Sequence, residues 1–255
     1  MVDPFPDGAR ETARLLDLWE KRKTRRLLPR DGLHQSNAIQ IWTFAHHAAR
    51  LSRSVLTLHE AGQDFESMAL IRQTLECAMN AAWLLITDGG GAALSAVDTK
   101  NRRVMYREVT DLGLADLSEM LRRVEEEEKR NNETVTHTRS FEERCSAVAG
   151  GRQMYAIWRT VSLYSHATSS VADTYLSLGP ETDDAPLGVT FLWNADWDEA
   201  ATWLRVQAMM LLLAQMAADD ALAKPIHRTQ LAKARRRLGV SWQIRPAKPV
   251  ANPPS

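Results

Sequence analysis

Apolar residues recur with a helical period along most of the chain, and glycine and proline mark the ends of the periodic runs. No proline occurs between Arg30 and Gly179, so this long stretch contains few residues that would stop a helix. The glycines within it follow the ends of apolar runs, as glycines that cap or turn a helix do. The pattern predicts helices at residues 9–28, 33–61, 64–87, 93–112, 114–131, 140–149, 152–177, 196–222 and 226–238.

These elements predict an all-α protein, a single-domain up-and-down bundle of about seven to nine helices. Residues 1–242 form the predicted helical bundle domain. The run Val189–Trp193 has extended character, but a lone strand has no partner to pair with, so no sheet is predicted. Residues 243–255 hold four of the ten prolines and little apolar sequence, which predicts a disordered tail.

Composition narrows the classes of function. The 255 residues are 44% hydrophobic and 25% charged, as in an ordinary globular protein. Basic and acidic residues both total 32, so no global charge favours nucleic acid, a membrane or an acidic substrate. Two cysteines exclude a disulfide framework and a cysteine-rich metal site. The sequence has no Glu-x-x-His, no His-Glu-x-x-His and no phosphate-binding glycine loop, so it predicts no metal and no cofactor.

The sequence also predicts a cytoplasmic protein that does not bind a membrane. Its first thirty residues contain no apolar run of the kind that an export signal needs. The most membrane-like stretch, Ala200–Ala218, is interrupted by Arg205, Gln207 and Gln215. Its uninterrupted apolar part, Ala208–Ala214, is far shorter than the roughly 20 residues that a spanning helix needs. A buried helix of the bundle explains this stretch better.

Polar residues interrupt the third predicted helix, which is otherwise apolar on nearly every side and therefore central. Arg72 and Glu76 lie one turn apart, which allows them to pair along the helix, and Asn80 follows one turn later. Buried charges are costly unless they are paired and hydrogen-bonded. Either Arg72 and Glu76 form a structural ion pair that fixes helix packing, or they line an internal pocket or help to orient a catalytic group.

The seventh predicted helix carries an arginine and a histidine seven residues apart, Arg159 and His166. On a continuous helix they lie within about 20° of each other around the axis, so they share one face, and Ser162 lies in the same stripe. A histidine can transfer a proton near neutral pH, and a guanidinium can hold a phosphate through a forked contact. The pair therefore suggests metal-independent RNA cleavage. The alternative is a solvated polar stripe, or a histidine hydrogen-bonded inside the bundle.

Spacing alone is weak evidence for that pair. The composition predicts about two arginines followed by a histidine after four to six residues by chance, and the chain contains three such pairs. Arg53 and His59 point in different directions around a helix, and Arg130 and His137 flank a polar, loop-like segment. The third pair, Arg159 and His166, is predicted to share one face of an amphipathic helix.

Two segments of the chain resemble a known family. The run Ala69–Glu76, with its Arg-x(3)-Glu pattern, and its continuation Asn80–Trp83 look like the central helix of a large bacterial family of helical proteins with no assigned function. The later run Leu163–His166 is similar to that family's Ser-x-Tyr-x-His segment. The likeness spans residues 64–170, and the two motifs occur in the expected order.

The element from Arg159 to His166 also resembles, more loosely, the Arg-x(4–6)-His motif of the higher-eukaryote-and-prokaryote nucleotide-binding (HEPN) superfamily. Those proteins are small helical bundles, often dimeric ribonucleases of toxin–antitoxin and phage-defence systems. The resemblance implies that Arg159 contacts the phosphate and that His166 transfers the proton. It also implies RNA as substrate and a homodimer as the assembly.

Two hypotheses of different classes follow. The first is a metal-independent ribonuclease with Arg159 and His166 at its site, supported by Arg72, Glu76, Asn80 and Ser162. Two local basic clusters could then follow a nucleic-acid backbone, although solvated helix ends would produce the same pattern. The clusters are Lys21, Arg22, Lys23, Arg25, Arg26 and Arg30, and Arg228, Lys233, Arg235, Arg236 and Arg237. The second hypothesis is a non-catalytic helical interaction or dimerisation module, in which the same polar residues only organise the bundle.

Overall fold

The computed structural model describes residues 7–22, 27–131, 140–183 and 186–248. The described residues form ten helices and one two-stranded sheet, which confirms the all-α class. In chain order the elements are α1 (Gly8–Glu20), α2 (Gln35–Glu60), α3 (Met68–Ile86), α4 (Gly90–Asp111), α5 (Ser118–Asn131), α6 (Phe141–Ala147), α7 (Gly151–Ser165), α8 (Ser169–Asp173), β1 (Leu176–Leu178), β2 (Val189–Phe191), α9 (Ala200–Asp220) and α10 (Arg228–Arg237).

The helices α3 and α9 form the centre of the bundle. Helix α3 packs against α2, α7 and α9, and α9 packs against α1 and α2 as well. Their buried side chains include Leu75, Trp83, Leu211 and Leu212, each no more than 2% exposed. A helix that is apolar nearly all round must be surrounded by other helices, and this is where the structure places both.

Two buried glutamines connect α9 to its neighbours. The Gln207 Nε2 group donates to Ser52 Oγ at 2.6 Å and to Thr74 Oγ1 at 3.3 Å. The Gln215 Nε2 group donates to the Leu15 carbonyl oxygen at 2.8 Å. These hydrogen bonds offset the desolvation of the buried amides.

None of the helices in the described ranges has both the length and the apolar character needed to cross a bilayer.

The helix predicted over residues 152–177 is wrong in its second half. Helix α7 ends at Ser165, and the chain continues as α8 and β1, which adds one helix to the predicted nine. At the end of α7, Thr168 Oγ1 donates to the Leu163 carbonyl at 2.9 Å, an acceptor that a continued helix would give to the backbone N–H of Ala167. Such side chains compete with the backbone for helical hydrogen bonds.

The extended run near residues 189–193 does find a partner strand. Strand β2 pairs antiparallel with β1, so that Leu176 faces Phe191 and Leu178 faces Val189 across the pair. The sequence pattern missed this sheet because β1 overlaps the end of the stretch that was assigned to a helix, residues 152–177. The result is a two-stranded hairpin between α8 and α9.

Residues 243–248, which the sequence assigned to the tail, lie against the bundle. The backbone N–H of Ala149 donates to the Arg245 carbonyl, and that of Ala247 donates to the Ala147 carbonyl, both at 2.9 Å. Ile244 packs against the main core. These contacts hold the segment beside α6 and the start of α7. The rest of the predicted tail, residues 249–255, lies outside the described residues.

Candidate functional site

A cluster of polar and aromatic side chains joins α3 to α7. The Arg72 guanidinium pairs with the Glu76 carboxylate, with 3.3 Å between Nη2 and Oε1. The indole Nε1 of Trp158 donates to the same carboxylate oxygen at 2.7 Å. Arg72 also lies over the Trp158 ring, 5.0 Å from its centroid, in a cation–π contact. The predicted pair of Arg72 and Glu76 therefore exists, and it holds a side chain of the neighbouring helix.

His166 belongs to the same cluster, through Arg72. The distance between Arg72 Nη1 and His166 Nε2 is 2.9 Å. A guanidinium can only donate, so the histidine nitrogen accepts, and in this arrangement the ring is neutral with its proton on Nδ1. His166 is the residue after α7, with extended backbone angles of φ −122° and ψ 153°. The arginine in contact with His166 is thus Arg72 and not Arg159.

Arg159 and Ser162 do not join this cluster. The prediction placed Arg159 and His166 on one face of a continuous helix, but α7 ends at Ser165, and His166 has extended backbone angles. Arg159 is exposed on α7. Ser162 Oγ donates to the Trp158 carbonyl of its own helix at 2.6 Å. The contact that the structure gives His166 is the one with Arg72, and the catalytic roles of Arg159 and His166 stay predictions.

Asn80 lies further along α3 and contacts a different residue. Its Oδ1 accepts a hydrogen bond from Arg144 Nε at 2.9 Å. Burial lowers the pKa of Arg144, and its guanidinium lies 5.6 Å from the Phe141 ring centroid. Phe141 and Trp158 are in turn 5.1 Å apart between ring centroids. Asn80 therefore helps to attach α6 to α3.

The sequence did not single out Trp158 of α7, which contacts Glu76, or Arg144 of α6, which contacts Asn80. One signal was present, because Tyr155 and Trp158 are three residues apart and so lie on one side of α7. Their rings stack at 5.5 Å, with 14° between the planes. The spacing could not predict that this aromatic face contacts the charged residues Arg72 and Glu76 of α3.

Two arginines of the basic clusters make contacts within the bundle, whereas Lys21, Arg30, Arg228, Lys233 and Arg236 are exposed. Arg22 is 6% exposed, and its Nη2 lies 2.9 Å from Oδ1 of buried Asp219. In the C-terminal cluster, Arg237 Nε donates to Glu11 Oε2 at 2.8 Å, and the Glu11 side chain is fully buried. These contacts assign both arginines to the packing of the bundle. Lys23, Arg25 and Arg26 lie outside the described residues.

The two cysteines are structural. Cys77 is 5% exposed and Cys145 is fully buried. Burial raises the pKa of both thiols to about 12, with a smaller contribution from the Glu76 charge at Cys77. Neither thiol therefore has the thiolate character of a reactive cysteine near neutral pH. Across the described residues, no group of three or more His, Cys, Asp or Glu side chains is placed to hold a metal ion.

The β1–β2 hairpin carries a large exposed apolar surface. We call it the hairpin surface and define it by four side chains. They are Leu178, Leu187, Phe191 and Trp193, which are 80%, 83%, 83% and 96% exposed. Since directly opposed residues of an antiparallel pair share a face, Leu178 and Phe191 lie on the same side of the sheet. Only Ser177 and Thr190 of the paired residues point to the other side.

An aromatic cluster fixes the base of the hairpin to the start of α3. The Phe65 ring lies 5.8 Å from Tyr175, 5.1 Å from Trp197 and 6.1 Å from Tyr164, measured between centroids. Tyr175 also donates its hydroxyl to Glu66 Oε1 at 2.6 Å. Partial burial and this hydrogen bond raise the pKa of Tyr175 to about 12. The hairpin is therefore held in place while its surface stays exposed.

Comparisons of the chain with protein-family models, curated proteins and solved structures found no significant match. The two family resemblances stay predictions from the sequence. The function is therefore inferred from the geometry of this molecule.

Proposed function

We propose that this protein is a non-catalytic helical interaction module that presents the hairpin surface to a protein partner. The observation that carries the proposal is the exposure of four large apolar side chains, at 80% to 96%, on a hairpin with an anchored base. Exposed apolar patches of this kind mark interaction sites. A two-stranded hairpin is marginally stable alone in water, so a partner that covers it would also stabilise it.

The polar cluster between α3 and α7 supports the same proposal. A catalytic site would bring Arg159 and His166 together in a cleft, whereas an interaction module needs the polar residues only for packing. Arg72 contacts Glu76, Trp158 and His166 at once, and these contacts join two helices. We infer that the cluster fixes the orientation of α7, and with it the segment from which the hairpin emerges.

Photocrosslinking tests the interaction directly. With p-benzoylphenylalanine in place of Trp193, we expect irradiation in the native host to give a discrete covalent adduct with a protein. The matched control carries the same photoreactive residue in place of Ile39. This residue is 52% exposed and lies near the N-terminal end of α2, whereas Phe65, which anchors the hairpin, follows the C-terminal end. An adduct at position 193 alone, with another protein or with a second copy, supports the module. Equal labelling at both positions, or no adduct at 193, contradicts it.

A metal-independent ribonuclease is the second candidate, and one contact favours it. Arg72 places a guanidinium beside the imidazole of His166, so an arginine and a histidine do meet, although not the predicted pair. Because Nε2 of His166 is occupied by Arg72, we expect no cleavage of mixed RNA in excess EDTA by the unmodified protein. A known metal-independent ribonuclease serves as positive control. EDTA-resistant cleavage that His166→Ala abolishes, with helicity intact, would overturn the non-catalytic proposal.

A further inference from the structure

The hairpin lies within a strongly acidic part of the chain. Residues 160–204 contain seven acidic residues and neither lysine nor arginine, in a protein whose total charge is balanced. The acidic residues are Asp173, Glu181, Asp183, Asp184, Asp196, Asp198 and Glu199. Glu181 and Asp183 follow β1, and Asp196 and Asp198 follow Trp193, all with exposed side chains. Negative charge therefore flanks the hairpin surface on both sides along the chain.

We propose that the hairpin surface binds a segment of another protein that is both basic and apolar. This partner chemistry, which rests on the proposed function, combines two complementary contacts. Apolar side chains of the segment would cover Phe191 and Trp193, and its cations would lie near the flanking carboxylates. Charge complementarity steers such an encounter and selects against acidic partners. Desolvation of the large aromatic side chains would supply most of the affinity.

The geometry favours an extended segment. The two strands form a sheet of their own, so β1 and β2 each have one edge that the other strand does not pair. An added strand can use such an edge through backbone hydrogen bonds while its alternate side chains contact one face of the sheet. The apolar face of this sheet contains Leu176, Leu178, Val189 and Phe191. A segment with alternating apolar and basic residues would match that face.

The same charges argue against two other occupants. In a symmetric dimer formed by two hairpin surfaces, each acidic flank would meet its own copy, and like charges across an interface oppose binding. A membrane would accept exposed tryptophan, phenylalanine and leucine, but anionic lipid headgroups would repel the carboxylates. A basic segment satisfies both the apolar and the acidic parts of the surface.

A pair of synthetic peptides tests the proposal on the full-length protein. The probe is a labelled peptide of alternating lysine and valine, and its control has glutamate in place of every lysine. Fluorescence anisotropy should show binding of the lysine peptide, weakening as salt rises, and much weaker binding of the glutamate peptide. The double variant Phe191→Ser and Trp193→Ser should lower the affinity at least about tenfold. The control variant Ile39→Ser should leave the affinity unchanged.

Neutralising the acidic flank separates the charge from the apolar contact. A variant with Glu181→Gln, Asp183→Asn, Asp196→Asn and Asp198→Asn should bind the lysine peptide more weakly and with a smaller salt dependence. These residues are exposed, so thermal unfolding should be unchanged. If this variant binds as tightly as the unmodified protein, or if both peptides bind equally or not at all, the proposal is wrong.

Further outcomes distinguish the inference from the proposed function. An adduct at position 193 with a second copy, or hairpin-dependent self-association in sedimentation, would support the interaction module. It would contradict the proposal that the partner is a basic segment of another protein. Hairpin-dependent binding to phosphatidylserine vesicles would also overturn the basic partner, in favour of a membrane. If no adduct forms at 193 and neither peptide binds, both the module and its partner chemistry fail.

Discussion

Replacing Asp219 with alanine is expected to lower the free energy of unfolding by about 3–5 kcal/mol. Asp219 is 1% exposed, and its carboxylate accepts hydrogen bonds from Arg22 Nη2 at 2.9 Å, the Ile226 N–H at 3.0 Å and the His227 N–H at 3.1 Å. Its removal takes the carboxylate away from a buried guanidinium and leaves two backbone donors without this acceptor. Such groups are costly to bury when an ionic partner is lost.

The neighbouring Asp220 provides a matched control for this prediction. Its side chain is 38% exposed and lies 3.9 Å from Arg228, which is a surface ion pair. Surface pairs contribute little, so Asp220→Ala should change the free energy of unfolding by no more than about 1 kcal/mol. Urea denaturation followed by the helical circular dichroism signal measures both variants. Equal effects of the two substitutions would show that the Asp219 contacts do not stabilise the fold.

Phe65→Ala is expected to cost about 3–5 kcal/mol and to release the hairpin. Phe65 is 5% exposed and contacts the rings of Tyr164, Tyr175 and Trp197. Truncation removes the ring against which the other aromatic side chains pack, and it opens a cavity between the start of α3 and the hairpin. We therefore expect faster amide hydrogen exchange in β1 and β2 as well as a lower unfolding temperature.

Phe191→Ala is the matched control, because the same change is made to an exposed residue of the hairpin itself. Phe191 is 83% exposed, so its truncation should change the free energy of unfolding by less than about 0.5 kcal/mol. Thermal unfolding and hydrogen exchange are measured for both variants. Unchanged exchange in the hairpin of Phe65→Ala would mean that the aromatic cluster does not hold the hairpin in place.

The helical class and the central helices could be predicted because their signal is local. In α3 and α9, apolar residues surround nearly the whole helix, and only a buried position satisfies that pattern. The pair of Arg72 and Glu76 was found for the same reason, since a spacing of four residues fixes neighbours along one helix.

The contacts between helices could not be predicted from spacing. Arg72 and His166 are 94 residues apart, and Arg22 and Asp219 are 197 apart. Such distances in sequence carry no geometric information until the helices are packed. This is why the sequence analysis placed Arg22 in a basic cluster, whereas the structure buries it. It is also why the contact between Arg72 and His166 could not be predicted from the spacing.

The end of α7 depended on competition between weak local preferences. Val161 and Tyr164 continue the apolar period, while the hydroxyl group of Thr168 takes the Leu163 carbonyl that a continued helix would use. Periodicity counts only the first effect. Once the helix is allowed to end at Ser165, the short strand at Leu176–Leu178 becomes available, and residues 189–191 acquire a partner.

The two buried glutamines of α9 have a consequence for how the core is aligned. If the helix moved along its axis by one turn, about 5.4 Å, apolar side chains could still meet apolar side chains. The Gln207 amide would then lose Ser52 and Thr74, and the Gln215 amide would lose the Leu15 carbonyl. Buried donors without acceptors penalise that displacement. These residues interrupt the most apolar stretch of the chain, and they select one axial position for α9 among several that apolar packing alone would tolerate.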